Sequence, residues 1–224
     1  MSMSFSDSGV SIHDRVFSRR LMLEVLAALD GANLIRTRAG ARHVLAVPAV
    51  RLLADHTALL EIARKYVGSQ AFAFRATLFD KSAASNWLVT WHQDTALPMK
   101  SRMDMPGWGP WSMKGGVLHA IAPAAALERL VALRVHLDDS GPDNGPLRVL
   151  PHTHTSGILA HEEIEKLALT VAPVDCLTGG GGVVAMRPLA VHASSKAVAD
   201  RPRRVLHIEL APAAALAGGE LTLG

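Results

Sequence analysis

Two stretches near the start of the chain repeat apolar residues at helical spacing. In Phe17 to Leu29 they fall at Leu21, Leu23, Val25, Leu26 and Leu29, and Asp30-Gly31 supplies a stop. Ala49 to Val67 repeats the pattern through Leu52, Leu53, Leu59, Leu60, Ile62 and Ala63, with Gly68 ending it. Asn33 to Val47, between them, has the look of a short hairpin or loop around Gly40. From Gln70 onward the period shortens to that of strands. The predicted strands are Ala71–Phe79, Trp87–His92, Gly116–Ala122, Leu130–Leu137, Leu147–Leu150, Leu167–Pro173, Gly182–Met186 with Ala190–His192, and Arg203–Leu210. Pro106-Gly107, Gly115-Gly116, Asp143-Asn144-Gly145-Pro146 and Gly179 to Gly182 punctuate them as turns.

So many short strands with no helix alternating between them argue against parallel βαβ units. They point to a mainly β fold with flanking helices and a jelly-roll or barrel core. The last strand fits this picture. Arg204, Leu206, Ile208 and Leu210 alternate with Arg203, Val205, His207 and Glu209, so one face can pack under the helices while the other lines a barrel. No internal repeat is visible. The chain of 224 residues is read as one domain, with a helical segment over 1–69 packing on a β core over 70–212.

Composition narrows the partners. The chain is 49% hydrophobic and 19% charged, with a net charge of only +3. Its basic residues are scattered apart from Arg201 to Arg204, without the basic stripe that nucleic-acid binding needs, so a small anionic molecule suits that cluster better. The single cysteine, Cys176, excludes an intramolecular disulfide and fits a reducing cytoplasm. Met1 to Val10 lacks the basic and apolar blocks of a secretory signal, and no apolar run reaches the ~20 residues of a membrane span. Oligomeric state is not legible.

The chemistry gathers around His92-Gln93-Asp94, which follows the strand-like run Trp87 to Trp91, and around His192 on a second apolar run. Residues two apart on a strand point the same way, so His92 and Asp94 can reach one ion while Gln93 points away. Two imidazoles and one carboxylate form the facial triad of non-haem Fe(II) oxygenases, which leaves three coordination positions open. A structural zinc site is instead closed by four protein ligands. His-x-Asp alone is a weak signal, since the triplet often marks no more than a polar loop end.

Taken together, Trp91-His92-Gln93-Asp94, the segment from Leu137-Asp138-Asp139 through Asn144-Gly145-Pro146-Leu147-Arg148-Val149-Leu150-Pro151, and His192-x-Ser194 with Arg203 eleven residues after the histidine resemble the phytanoyl-CoA dioxygenase family. The resemblance covers Ala71 to Leu210. It implies a double-stranded β-helix (jelly-roll, cupin-like) core and an Fe(II)- and 2-oxoglutarate-dependent dioxygenase that consumes O2, oxidises a small polar molecule and releases succinate and CO2. It also implies that His92, Asp94 and His192 hold the iron and that Arg203, assisted by Ser194, binds the distal carboxylate of 2-oxoglutarate. Two positions depart from the family pattern: His152-Thr153 replaces a Gly-Ser/Thr turn before His154, and Ala193 replaces a glycine. Asp94 argues against halogenation, for which related enzymes omit this ligand.

Other assignments stay open on the sequence. Arg204 exchanges faces with Arg203 if the strand slips by one residue. Arg75, His119 and Arg134, with Lys81 and His136, are candidate pocket contacts or simply paired structural groups. His13, His43, His56 and His161 read as surface residues. The insert Thr95–Gly115, with Met99, Met103, Met105, Trp108, Trp111 and Met113, reads as a substrate-covering loop, the alternative being an apolar plug. Two rival functions remain, a non-catalytic cupin-like barrel that binds a metal or ligand, and a hydrolytic or isomerising cupin that uses zinc or manganese.

Overall fold

The computed structural model describes residues 5–38, 40–82 and 85–223; the first four residues of the serine-rich N-terminal stretch lie outside these. Among the described residues there are sixteen strands: β1 Val10–His13, β2 Arg36–Thr37, β3 Gly40–Ala41, β4 Phe72–Lys81, β5 Val89–His92, β6 Ala96–Pro98, β7 Trp111–Lys114, β8 Val117–Ile121, β9 Val131–His136, β10 Leu147–Val149, β11 Val174–Cys176, β12 Val183–Met186, β13 His192–Ser194, β14 Arg203–Ala211, β15 Ala215–Leu216 and β16 Gly219–Glu220. The helices are α1 Phe5–Ser8, α2 Arg19–Gly31, α3 Pro48–Ala54, α4 Thr57–Val67, α5 Ala124–Leu127 and α6 His161–Thr170. Among the described residues no helix is long and apolar enough to cross a membrane.

A seven-stranded major sheet runs β1, β12, β9, β14, β4, β3, β2; a four-stranded minor sheet runs β11, β10, β13, β5. The pairings within both sheets are antiparallel. This is the jelly-roll arrangement expected from the strand spacing. Alternation along β14 sets the two sides of the major sheet. Leu206, Ile208 and Leu210 join Leu26, Leu29, Leu53 and Leu59 of the helices in one core. Arg203, His207 and Glu209 face the opposite way, into a cavity. A second apolar cluster, including Val149, Cys176, Val184 and Met186, fills space beside that cavity.

Local chemistry explains where elements start and stop. Ser18 caps α2, its hydroxyl accepting from the Leu21 amide at 3.2 Å, and Gly68 ends α4 with φ +93°. The single helix expected over Ala49–Val67 is two, because the chain breaks at Asp55-His56 and the His56 ring accepts from the Ala58 amide to start α4. The strand expected over Leu167–Pro173 is a correction of type: that stretch closes α6. Ile164, Leu167, Ala168 and Val171 follow helical spacing and pack with Leu150 and Val191, while Leu169 is left in solvent.

At the turn into β12, Gly181 adopts φ +86° and its carbonyl accepts from the Phe17 amide at 2.9 Å; a Cβ there would collide with the Phe17 carbonyl oxygen. Gly181→Ala is therefore expected to destabilise the fold by roughly 1–3 kcal/mol, seen as a lower Tm, because both the backbone conformation and the contact resist a side chain.

Candidate metal centre

The minor sheet builds the triad directly. β13 pairs with β5 so that His192 stands opposite His92, their ring centroids 4.2 Å apart. Asp94, two residues past His92, is pinned where β5 ends by its amide donating to the Pro188 carbonyl at 2.9 Å. Gln93 points away, as the strand period requires. Its amide donates to the Gly157 and Leu189 carbonyls and its oxygen accepts from the Leu159 amide, tying two loops behind the site. The resulting gaps are 3.8 Å from His92 Nε2 to Asp94 Oδ1 and 3.5 Å from His192 Nε2 to Asp94 Oδ2. Ligand atoms at about 2.1 Å from one ion stand roughly 3–3.5 Å apart, so a small closure seats a metal.

Both imidazoles are prepared as ligands. His92 Nδ1 and His192 Nδ1 donate to the Thr90 and Ala190 carbonyls, at 2.8 and 2.9 Å, which fixes each Nε2 as the lone pair facing the carboxylate. Burial pushes His192 down to about 4, against the opposing pull of Asp94, so it is neutral around pH 7. Burial alone would raise Asp94, but His192, His207, His92 and Arg75 outweigh it and hold the carboxyl below its ordinary range. The centre presents two imidazole nitrogens and one anion to an ion.

His207 is a third imidazole, with Nε2 3.8 Å from Asp94 Oδ2, but its role differs. Arg134 Nη1 donates to His207 Nδ1 at 3.1 Å, so the lone pair is used there and Nε2 carries the proton. The ring thus faces the carboxylate as a donor and supplies no fourth ligand. Burial, followed by Arg134, lowers His207 to about 3 and keeps that tautomer neutral.

The triad opens into a cavity of about 370 Å³, lined from both sheets and from the β6–β8 region. Ligand cavities run roughly 300–1,000 Å³. Arg203 is buried at one end, with Nε donating to the Asn144 carbonyl at 3.2 Å, Nη2 to Ser194 Oγ at 3.3 Å, and Nη1 without a partner among the described residues. Arg204 faces outward into a two-pronged pair with Asp138, at 2.7 and 2.9 Å. The register question left by the sequence is resolved in favour of Arg203.

The chain matches the profile of the phytanoyl-CoA dioxygenase (PhyH) family over residues 26–205. The chain belongs to the phytanoyl-CoA dioxygenase family. Its members' chemistry makes the protein an Fe(II)- and 2-oxoglutarate-dependent dioxygenase acting on a small molecule. No curated protein gives a significant match. Among solved structures, EctD from S. alaskensis with 2-oxoglutarate and 5-hydroxyectoine is 19% identical, with TM-score 0.69 over 92% of this chain and 73% of that one. AviO1 from Streptomyces viridochromogenes Tue57 is also 19% identical, with TM-score 0.65 over 92% and 91%. HygX from Streptomyces hygroscopicus, with nickel and 2-oxoglutarate bound, is 16% identical, with TM-score 0.66 over 93% and 84%. Identities this low establish a shared fold.

The residues of this PhyH-family chain fit the group that the family implies. The donor set is two imidazole nitrogens and one carboxylate, and a buried guanidinium whose Nη1 has no partner among the described residues lies at the end of the same cavity. The other predicted residues sort unevenly. Ser194 lies beside Arg203, but its hydroxyl proton is committed to the Gly145 carbonyl at 2.8 Å. Its oxygen instead accepts from both Arg203 and Lys81. Arg134 lines the cavity behind His207, and His119 lines the opposite part with Nδ1 donating to the Val117 carbonyl. Arg75 lines it too, yet its charge is matched by Glu209 in a buried two-pronged pair. His136 is fully buried on β9 outside the lining, with both ring nitrogens unpartnered.

Lys81 carries more than the sequence suggested. It is buried, with Nζ donating to Ser194 Oγ at 2.9 Å and to the Ser195 carbonyl at 2.5 Å. The close approach depends on Gly145, at φ +68°, where a Cβ would press on Nζ and on the Ser195 carbonyl. The insert after the triad is a correction. Met99 and Trp108 are core residues of a separate apolar cluster with Leu97 and Leu127, Met103 and Trp111 pack against it, and Met105 and Met113 are exposed, so these side chains do not cover the cavity; only the insert's ends, Thr95, Ala96 and Lys114, line it. His13 and His43 are half-buried, not surface residues.

Proposed function

We propose that this dioxygenase hydroxylates a small polar molecule, with His92, Asp94 and His192 holding Fe(II) and Arg203 holding the distal carboxylate of 2-oxoglutarate. One observation carries the assignment: the triad and a buried arginine with an unused Nη1 open into the same cavity. When bound there, iron and 2-oxoglutarate supply the oxidising chemistry, in which O2 places one oxygen atom in succinate and the other in the substrate as 2-oxoglutarate loses CO2.

The chain's own residues do the positioning. Arg203 offers donors to one carboxylate, with the Lys81 ammonium behind it on the same Ser194 Oγ adding positive charge, and a charge-assisted contact in a buried site is stronger and more directional than one in water. His207 turns its Nε2–H toward Asp94 Oδ2, 3.8 Å away, on the side of the carboxylate. The cavity has to admit cosubstrate and substrate together, which at about 370 Å³ restricts the substrate to a small molecule. The lone cysteine, Cys176, is buried and its thiol is pushed up to about 12 by burial, which suits a reducing cytoplasm better than a disulfide-forming compartment.

The test is succinate formation by protein reconstituted anaerobically with Fe(II), then given 2-oxoglutarate and air. Slow uncoupled succinate release is expected even without substrate. Metal uptake without any succinate would leave the non-catalytic barrel as the better account, and turnover with zinc but not iron would favour the hydrolytic or isomerising cupin.

Lys81 gives a pH signature. Burial, then Arg203 and Arg134, lowers its ammonium to about 8 in the free protein, and a bound carboxylate favours the charged form and raises it again. The Kd for 2-oxoglutarate is therefore expected to be flat below about pH 8 and to rise above it by up to about tenfold per unit. Calorimetric titrations across pH 6.5–9.5 check this (roughly the range where Lys81 changes charge), and Lys81→Met is expected to abolish the inflection.

A further inference from the structure

The register of the major sheet orders the cavity floor. Lys81 pairs with Arg203, Thr77 with His207, and Arg75 with Glu209, in that order along β4 and β14. The metal ligands sit over the middle rung, since His207 Nε2 reaches Asp94. The Lys81–Arg203 end is the seat proposed above for 2-oxoglutarate. The opposite end is cationic as well, and nothing in the reading so far uses it.

At that opposite end, Arg75 is neutralised by Glu209, but Arg42 and Lys114 also line the cavity and neither has an ion-pair partner among the described residues. They come from distant parts of the chain, Arg42 next to β3 and Lys114 at the end of β7. The two loops touch there, since His43 Nε2 would lie 3.2 Å from a Cβ on Gly115. Like charges have been gathered at this mouth. Lys114 is lowered by burial and then by Arg42 and Arg75, with Asp94 opposing.

Charge balance shows what this end wants. Five cationic side chains line the cavity against two carboxylates, Asp94 and Glu209. Fe(II) and 2-oxoglutarate carry equal and opposite charges, so loading them leaves the excess untouched. Arg42 and Lys114 are exposed at the mouth, and unmatched cations converging on one opening draw in an anion. Resting on the oxygenase reading, we propose that the substrate carries an oxyanion, a carboxylate or a phosphate-like group, held by Arg42 and Lys114. Its target carbon then lies between that anchor and the metal. The cavity is a corridor with an anion seat at each end and the oxidising centre in the middle.

The test uses protein loaded anaerobically with redox-silent Mn(II) and saturating 2-oxoglutarate, so that the metal and Arg203 are already engaged. Sulfate, a tetrahedral dianion, and acetate, a planar monoanion, are titrated in by calorimetry at an ionic strength held constant with chloride. At least one is expected to bind saturably in the millimolar range, and which one names the group. Arg42→Gln and Lys114→Gln are each expected to weaken it roughly fivefold or more, the scale of a lost partly exposed ion pair. Both variants are expected to keep the wild-type Kd for 2-oxoglutarate, and Arg20→Gln, paired with Glu24 on the outer helix, is expected to change neither. Saturable binding of neither anion, or binding indifferent to both cavity variants, overturns the proposal. A protein that takes up 2-oxoglutarate but ignores both anions loses only the anionic substrate; one that does not bind 2-oxoglutarate loses the oxygenase reading beneath it.

Discussion

Asp94→Ala is expected to reduce succinate formation at least ~10³-fold, about 4 kcal/mol of lost transition-state stabilisation, while the protein still folds. Asp94 is the one anion facing His92 and His192, and its two oxygens point separately at the two ligand nitrogens. Removing it leaves two neutral imidazoles facing an ion that then has no counter-charge in its first coordination sphere. The loss reaches further, because His207 Nε2–H loses the nearer of the two carboxylates it faces, Asp94 at 3.8 Å and Glu209 at 3.9 Å. Metal content after reconstitution and dialysis is expected to drop by at least about 100-fold in affinity, beyond the 10–100-fold typical of outer-shell changes. Circular dichroism and Tm separate this from unfolding. The backbone bond that fixes position 94, from its amide to Pro188, survives the substitution. A variant that keeps iron and succinate output would mean the ion sits elsewhere.

The distribution of charge explains why the site can be open and still orderly. Iron needs neutral imidazoles, and burial keeps both His192 and His207 neutral without help from the metal. The same burial would make a lone carboxylate unstable, yet the surroundings of Asp94, Arg75 among them, hold it below its ordinary range. Glu209 plays the matching part for Arg75, so that the buried pair adds no net charge beneath the centre. What stays unbalanced is therefore confined to the two ends of the cavity.

Much of this was legible in the sequence, for reasons that can be named. His92 and Asp94 were readable because a strand repeats every two residues, and the strand they follow is marked by Trp87 to Trp91. Arg203 separated from Arg204 because Leu206, Ile208 and Leu210 must face the helices, which sends the odd-numbered side chains of β14 inward. The role of His207 was not legible, since only its contact with Arg134 on a neighbouring strand decides which nitrogen carries the proton. Arg42 escaped for a similar reason. Its neighbour Lys114 is brought to it by the tertiary path of two loops, and no local periodicity encodes that. The α6 stretch was misread as strand because Leu167 to Val171 is short and apolar, and the helical partner Ile164 lies just outside that window.

Arg203→Met is expected to raise the Kd for 2-oxoglutarate by on the order of 10²–10³-fold while leaving metal affinity within a few-fold of wild type. The size follows from what would be left behind. A carboxylate driven into that end without its guanidinium is a buried charge lacking its partner, which costs roughly 3–5 kcal/mol. Lys81 remains, but a single ammonium already shared with Ser194 and Ser195 cannot reproduce two parallel donors. Arg203→Lys is expected to recover only part of the loss for the same geometric reason. Arg204→Met is the discriminating control. It removes a partly exposed pair with Asp138 on the outer side of the sheet, which costs at most about 1 kcal/mol of stability and should not touch 2-oxoglutarate binding. Anaerobic titration of 2-oxoglutarate into the three metal-loaded variants reads all of this at once. If Arg204→Met weakens 2-oxoglutarate and Arg203→Met does not, the cosubstrate enters from the other side of β14 and the corridor described here runs the wrong way.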